Sequence, residues 1–99
     1  MSLLVEYSVN EGMADAQKEA LTKFVEGLKE IADEGYTYTA FETDDPTRFI
    51  GVLEFSDEAG KKRFLDSVPF NDYRDGSTGR FQKPPAATSI RLVATTRDR

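Results

Sequence analysis

Tyr36-Thr37-Tyr38-Thr39-Ala40-Phe41, followed by Thr43-Asp44-Asp45-Pro46-Thr47 and then Arg48-Phe49-Ile50-Gly51-Val52-Leu53-Glu54-Phe55, reads as two strands joined by a turn. The first run is β-branched or aromatic almost throughout, the middle has turn chemistry, and the last run returns as the second strand of a hairpin. Upstream, Leu21, Phe24, Val25, Leu28 and Ile31 recur at helical spacing, which predicts an amphipathic helix over about 14–34. Asp15 lies near its start, Lys18, Lys23 and Lys29 mark its polar side, and Gly35 is the expected positive-φ stop. Before it, Leu3, Val5, Tyr7 and Val9 alternate with Leu4, Glu6 and Ser8 as a strand, closed by the turn Asn10-Glu11-Gly12. After the hairpin, Ser56 is the expected N-cap of a helix whose positive end takes Asp57 and Glu58. Phe64, Leu65 and Val68 form its apolar stripe, and Pro69 is expected to end or break it. Residues 71–88, rich in Gly, Ser, Asp and Pro, read as a lid, a docking arm or a partly mobile segment, and Ser89–Thr96 as a last strand.

Strand, helix, strand, strand, helix, strand is the split βαβ order. It predicts a ferredoxin-like α+β fold with a four-stranded antiparallel sheet and both helices on one face, in a single domain over 1–99. Phe49, Leu53 and Phe55 then point to one face while Ile50 and Val52 point to the other; Ile90, Leu92 and Ala94 likewise oppose Val93. Both faces carry apolar residues, yet helices cover one. A contiguous apolar patch of that kind usually marks an interface, so a homodimer packed through its sheet faces is expected. The length, 99 residues, points the same way, because a domain so small buries a modest share of its surface alone.

The chain has no Cys and no His. Disulfides, thiolate nucleophiles, Cys-ligated metals and imidazole ligation of zinc or haem are therefore excluded for this chain, and no cofactor is implied. The available chemistry is carboxylate, Tyr, Lys and Arg. A formal charge of −5 disfavours nucleic acid and anionic membrane as partners. Arg48 to Phe55 has some likeness to an RNA-binding signature, but Ile50 and Val52 stand where stacking aromatics belong. Glu54, Asp57 and Glu58 do not make an octahedral ligand set, since a helix N-terminus accounts for two of them. No segment is apolar for long enough to span a bilayer and no leader pattern is present at residues 1–9, so a cytoplasmic protein is the expectation.

Asp44-Asp45-Pro46, Phe49, Phe55-Ser56-Asp57-Glu58-Ala59, Ser67 and Phe70 together resemble the pattern around the second helix of the antibiotic biosynthesis monooxygenase (ABM) domains. Val9 to Gly12 is similar to that family's first turn. The resemblance implies a dimeric α+β barrel and a family that includes cofactor-free oxygenases of polycyclic aromatics, haem-degrading enzymes and proteins of unknown role. Phe55 falls where many members have Trp, Phe64 where many have His, and Leu53 where Glu is common. Without His or Trp, the haem-degrading chemistry has no residues here.

Phe55, Phe64, Phe70 and Tyr73 are spaced to converge between sheet and helices. Aromatic residues so placed are first of all core, but a pocket there would suit a flat apolar ligand. Tyr73 and Arg74 would stand at its mouth, able to orient a phenolate or carboxylate unless they lie in a solvated turn. With Tyr7 and Gly51 from the strands, these make the candidate set: Tyr7, Gly51, Phe55, Phe64, Phe70, Tyr73 and Arg74. Tyr7, Tyr36 and Tyr38 are phenols on strands, most of which read as sheet-packing residues with hydroxyls at the edge. The function this supports is a cofactor-independent monooxygenase acting on a small aromatic ligand, against a non-catalytic dimeric ligand-binding or interaction module.

Overall fold

The computed structural model describes residues 1–97; the last two positions of the expected domain lie outside the described residues. Its elements are β1 (Ser2–Ser8), α1 (Ala14–Ile31), β2 (Tyr36–Glu42), β3 (Arg48–Phe55), α2 (Glu58–Asp66), α3 (Val68–Asp75) and β4 (Ala86–Ile90). The sheet runs β2-β3-β1-β4 with every neighbouring pair antiparallel, which is the ferredoxin-like order expected from the sequence.

The register decides what faces the helices. Tyr7 pairs with Phe49, Leu3 with Leu53 and Tyr36 with Phe55, so these residues share one face with Tyr38 and Gly51. Phe49, Leu53 and Phe55 are buried there, while Ile50 and Val52 lie on the other face beside Leu4. α1 contributes Gln17, Leu21, Phe24 and Leu28 to the same core, one buried residue per turn. Phe64 of α2 closes it, with ring centroids 5.3 Å from Tyr36 and 6.2 Å from Phe55.

The structure departs from the sequence reading at element ends. α1 stops at Ile31, and the left-handed residue that turns the chain is Ala32 (φ 55°), whereas Gly35 has no positive φ. Gly35 is needed for a close approach instead. A Cβ on Gly60 would collide with the Gly35 carbonyl oxygen, so α2 can approach the start of β2 only through two side-chain-free residues. The cap of α2 is Asp57, whose Oδ1 accepts from the Gly60 N–H at 2.8 Å; Ser56 instead gives its hydroxyl to the Gly35 carbonyl at 3.3 Å. Pro69 does not stop the chain from being helical. α2 ends at Asp66, Ser67 caps a new helix with its hydroxyl accepting from Phe70 N–H at 3.3 Å, and Pro69 falls in the first turn of α3, where its missing N–H has no helical partner to lose. Three helices, not two, therefore cover the sheet.

The supposed loop over 71–88 is divided in the same way, with its first part inside α3 and its last inside β4. Between them the chain is tied to the end of β1: Asn10 N–H donates to Arg80 C=O at 2.8 Å, Gln82 N–H donates to Ser8 C=O at 2.8 Å, and Val9 and Phe81 form a bridge. The last strand is displaced toward the N-terminus of its expected range. Ile90 pairs with Ser2 as the last pair of the β1–β4 ladder, and Leu92 and Val93 stand outside the sheet, Val93 at 98% exposure.

A Cβ at position 60 meets backbone, which cannot rotate away as a side chain can. Gly60→Ala is expected to lower stability by about 1–3 kcal/mol despite alanine's better helix propensity. Urea unfolding followed by circular dichroism reads this, and an unchanged midpoint would contradict the close approach.

Candidate functional site

The helix-facing side of the sheet carries a run of polar groups inside an aromatic shell. Tyr7 and Tyr38, on β1 and β2, share a hydrogen bond between hydroxyls at 2.8 Å. Gly51 lies between those strands, and a Cβ there would come within 2.6 Å of the Tyr38 hydroxyl oxygen. The glycine thus makes room for the Tyr38 phenol to lie across β3. Tyr73 projects from α3 toward the same place, its ring stacked on Phe24 at 4.9 Å and edge-on to Tyr7 at 6.0 Å. Its hydroxyl accepts from Nε2 of Gln17 at 2.8 Å, and Oε1 of Gln17 accepts from Nε of Arg80 at 2.7 Å. Gln17 is fully buried, and Arg80 is 7% exposed with Tyr73 and Phe81 ring centroids 5.2 and 5.1 Å from its Cζ.

The expected residues are partly united by this arrangement. Tyr7, Gly51 and Tyr73 meet around Tyr38, and Phe70 stands beside them, 6.2 Å from Phe24. Phe64 stacks on Tyr38 at 6.1 Å, and Phe55 lies beyond Phe64. Ring-to-ring packing fills the space between Phe55, Phe64 and Phe70, with Phe64 and Phe70 centroids 5.2 Å apart. Arg74 points outward, donating to Oδ1 of Asn71 at 2.6 Å and lying over Phe70 from outside. The cation beside Tyr73 is Arg80 instead.

The open space lies on the other side of Tyr73. A cleft of about 410 Å³ separates α1 from α3, walled by Phe24, Gly27, Pro69, Tyr73 and Arg80. Gly27 is small there because a Cβ would press on the Pro69 ring at 2.8 Å. A wider groove of about 540 Å³ runs between α1 and β2 past Phe41. Among the described residues no group of three or more carboxylates is gathered in a way that could hold a metal ion.

Gln17 and Arg80 were not singled out by the sequence reading. Gln17 had a legible signal, since it lies four residues before Leu21 and seven before Phe24, a polar residue on the apolar stripe of α1. Arg80 had none, because its burial depends on how the segment after α3 is pinned to Val9 and Asn10.

Burial drives the electrostatics of the phenols. It holds the Tyr7 hydroxyl far above the ordinary tyrosine range, with Tyr38 and Tyr73 nearby adding to the effect. Burial also raises Tyr38 and Tyr73; the bond from Gln17 and the charge of Arg80 pull Tyr73 partly back. Tyr36 is raised by burial as well. All four tyrosines are thus harder to ionise folded than unfolded. For a raised value the stabilisation is complete below the unfolded value, about 10, and is lost as pH climbs from there toward the folded values. Tyrosinate absorbance and circular dichroism, recorded together through alkaline titration, are expected to change in one coincident step. Ordinary tyrosine ionisation near pH ~10 with the circular dichroism intact would contradict the buried cluster.

No protein-family model matches the chain, and no curated protein matches it. Solved structures do match. A candidate antibiotic biosynthesis monooxygenase from Nitrosomonas europaea superimposes with a TM-score of 0.79 at 21% identity, over 88% of this chain and 92% of that one. Another from Bacteroides thetaiotaomicron gives 0.82 at 16% identity, over 99% and 93%. A protein of unknown function, also from Nitrosomonas europaea, gives 0.78 at 22% identity, over 98% and 92%. At such identities the likeness is one of fold. The resemblance noticed in short motifs extends over the whole chain as architecture, and the chain has the fold of proteins named as antibiotic biosynthesis monooxygenases.

Proposed function

We propose that the protein is a cofactor-independent, monooxygenase-like protein whose ligand is a small aromatic molecule held in the cleft between α1 and α3. The observation that carries this is the buried polar run Tyr38, Tyr7, Tyr73, Gln17 and Arg80 set into an aromatic wall. A core that needed only stability would place apolar side chains there, since buried polar groups are tolerated at a cost and repay it through orientation. The chemistry such a site supports is attack of an electron-rich hydroxyarene on dioxygen. One oxygen atom enters the ring carbon, the second leaves as water, and the phenol becomes a quinone. The substrate supplies the electrons while Tyr73 and Arg80 offer hydrogen bonds and charge to the developing oxyanion. With no His in the chain, proton transfer falls to a tyrosine, a carboxylate or water.

A second reading, a non-catalytic ligand-binding or interaction module, is favoured by one observation. The space among Phe55, Phe64 and Phe70 is filled by their own rings. Oxygen consumption with a panel of hydroxyarenes separates the two. Uptake with quinone formation, reduced about tenfold or more by Tyr73→Phe, is expected for the enzyme; ligand-induced rises in melting temperature without uptake would leave the binding module.

For the working unit we propose a homodimer through the uncovered sheet face. Leu4, Ile50, Val52 and Phe41 lie together there by register, and Phe41 is 50% exposed. The apolar pair Leu92 and Val93, past the end of β4, adds further unburied surface at one end of the sheet. Light scattering at micromolar concentration is expected to give twice the chain mass, and Val52→Glu is expected to shift it toward the monomer. A monomeric mass for the unaltered protein would refute the assignment.

A further inference from the structure

Between α3 and β4 the chain crosses the end of the sheet as a strap, residues 76–85. Of these only Arg80 is buried; Ser77 and Phe81 are half-buried and the rest are exposed. Beneath the strap Val9 and Gln17 are fully buried, and Tyr7, 6% exposed, stacks against the Phe81 ring at 5.7 Å. Arg80 and Phe81 are thus the side chains by which the strap grips the body of the protein.

That grip is made of few bonds and has a flaw at its centre. Two backbone bonds tie the strap to the end of β1, from Asn10 N–H to Arg80 C=O and from Gln82 N–H to Ser8 C=O. The Asn10 side-chain amide adds bonds to the carbonyls of Gly79 at 2.9 Å and Phe81 at 3.4 Å. Of the Arg80 side-chain bonds, the one from Nε reaches Gln17, while Nη1 donates at 3.0 Å to Gly76 within the strap itself. Nη2 is buried with no partner. A buried donor left unpaired forfeits the bond it would make with water, so the closed strap carries a penalty that opening removes. The ends suit such a movement. Gly79, at φ 81°, lies in a turn close to the C-cap of α3, and Pro84-Pro85 stiffens the chain just before β4.

We propose that residues 76–85 swing outward as one unit, drawing Arg80 and Phe81 off Tyr7. The α1–α3 cleft, whose wall includes Gly76 and Arg80, then extends inward to Tyr7 and Gln17. The movement follows from the fold alone. Its use as the ligand's way in rests on the reading of this cleft as the site, since the space among Phe55, Phe64 and Phe70 is filled by their rings and offers no route.

Tyr7 and Tyr36 form a matched pair for the test, 6% and 7% exposed, with only Tyr7 against the strap and Tyr36 against Phe64. Tetranitromethane nitrates tyrosine rings that it can reach, and peptide mass analysis reads the rate at each. Ser8→Cys with Gln82→Cys puts thiols at facing positions of the resumed ladder in a chain that has no other cysteine. Facing residues there stand about 4.5–5.5 Å apart at Cα, within disulfide reach. Oxidation of this variant is expected to slow Tyr7 nitration about tenfold or more relative to its reduced form and to leave Tyr36 unchanged. Asn10→Ala, which removes bonds that hold the strap shut, decides the same point independently; it is expected to speed Tyr7 nitration about three- to tenfold without affecting Tyr36. Equal Tyr7 rates in oxidised and reduced protein would overturn the strap, and so would equal slowing of both tyrosines, which would make global unfolding the route of exposure. Oxygen uptake with the hydroxyarene panel tests entry on the same pair. Loss on oxidation with recovery in dithiothreitol supports it, whereas uptake indifferent to the lock overturns the entry role. Absence of uptake in both forms removes the monooxygenase reading, and the nitration ratio still decides the strap.

Discussion

One ring from α1 joins the helices to the sheet. Phe24 lies 4.9 Å from Tyr38 on β2, 5.9 Å from Phe64 on α2, and 6.2 and 4.9 Å from Phe70 and Tyr73 on α3. Every other helix thus meets α1 through this side chain, and each contact is an aromatic pair of the kind that adds about 0.5–1.5 kcal/mol beyond area burial. The consequence reaches past stability. Tyr73 is a cleft wall on one side and the stacking partner of Phe24 on the other, so its hydroxyl is aimed by the same packing that closes the core. Core and site share a wall, which is why the phenols stand in fixed positions.

The position of Arg80 is dictated in a different way. The segment after α3 has no helix or long strand of its own, yet its backbone is bonded to residues 8–10 on both sides of Phe81. The ladder that begins between β1 and β4 is in effect resumed beyond a break, and it fixes where the Arg80 side chain starts. Gln17 fixes where it ends. Two constraints far apart in sequence, a strand end and a helix stripe, converge on one guanidinium.

That convergence explains what could be read from the sequence. The strand order, the hairpin, the inward set Phe49, Leu53 and Phe55 and the stripe Leu21, Phe24 and Leu28 all follow from local periodicity, which one chain displays openly. The ends were misread where one residue type served another purpose: Gly35 looked like a helix stop but serves a close approach, and Pro69 looked like a breaker but starts a helix. Tyr73 was legible as a phenol near aromatics. Arg74 and Arg80 could not be told apart by spacing, because α3 turns the first outward and only long-range pairing turns the second inward. The strand expected over 89–96 failed for a similar reason. Its residues suit a strand, but the ladder with β1 runs from Ala86 to Ile90, so most of the expected range lies past its last pair, Ser2 with Ile90.

The overall charge and the local charge oppose each other at the cleft, and magnitudes decide between them. A net −5 repels an anion, and placed at about the radius of gyration of 13.8 Å in water it would cost about 1.5 kcal/mol before screening. With a Debye length of about 8 Å, a few tenths of a kcal/mol remain. A guanidinium at contact, about 4 Å away in an effective dielectric of about 20, attracts the same anion by about 4 kcal/mol before desolvation. The near charge wins at the wall and the distant charges win outside it. With Arg80 the one buried cation among the described residues, the acidic surface disfavours loose association of anions, and attraction is confined to the immediate surroundings of the guanidinium.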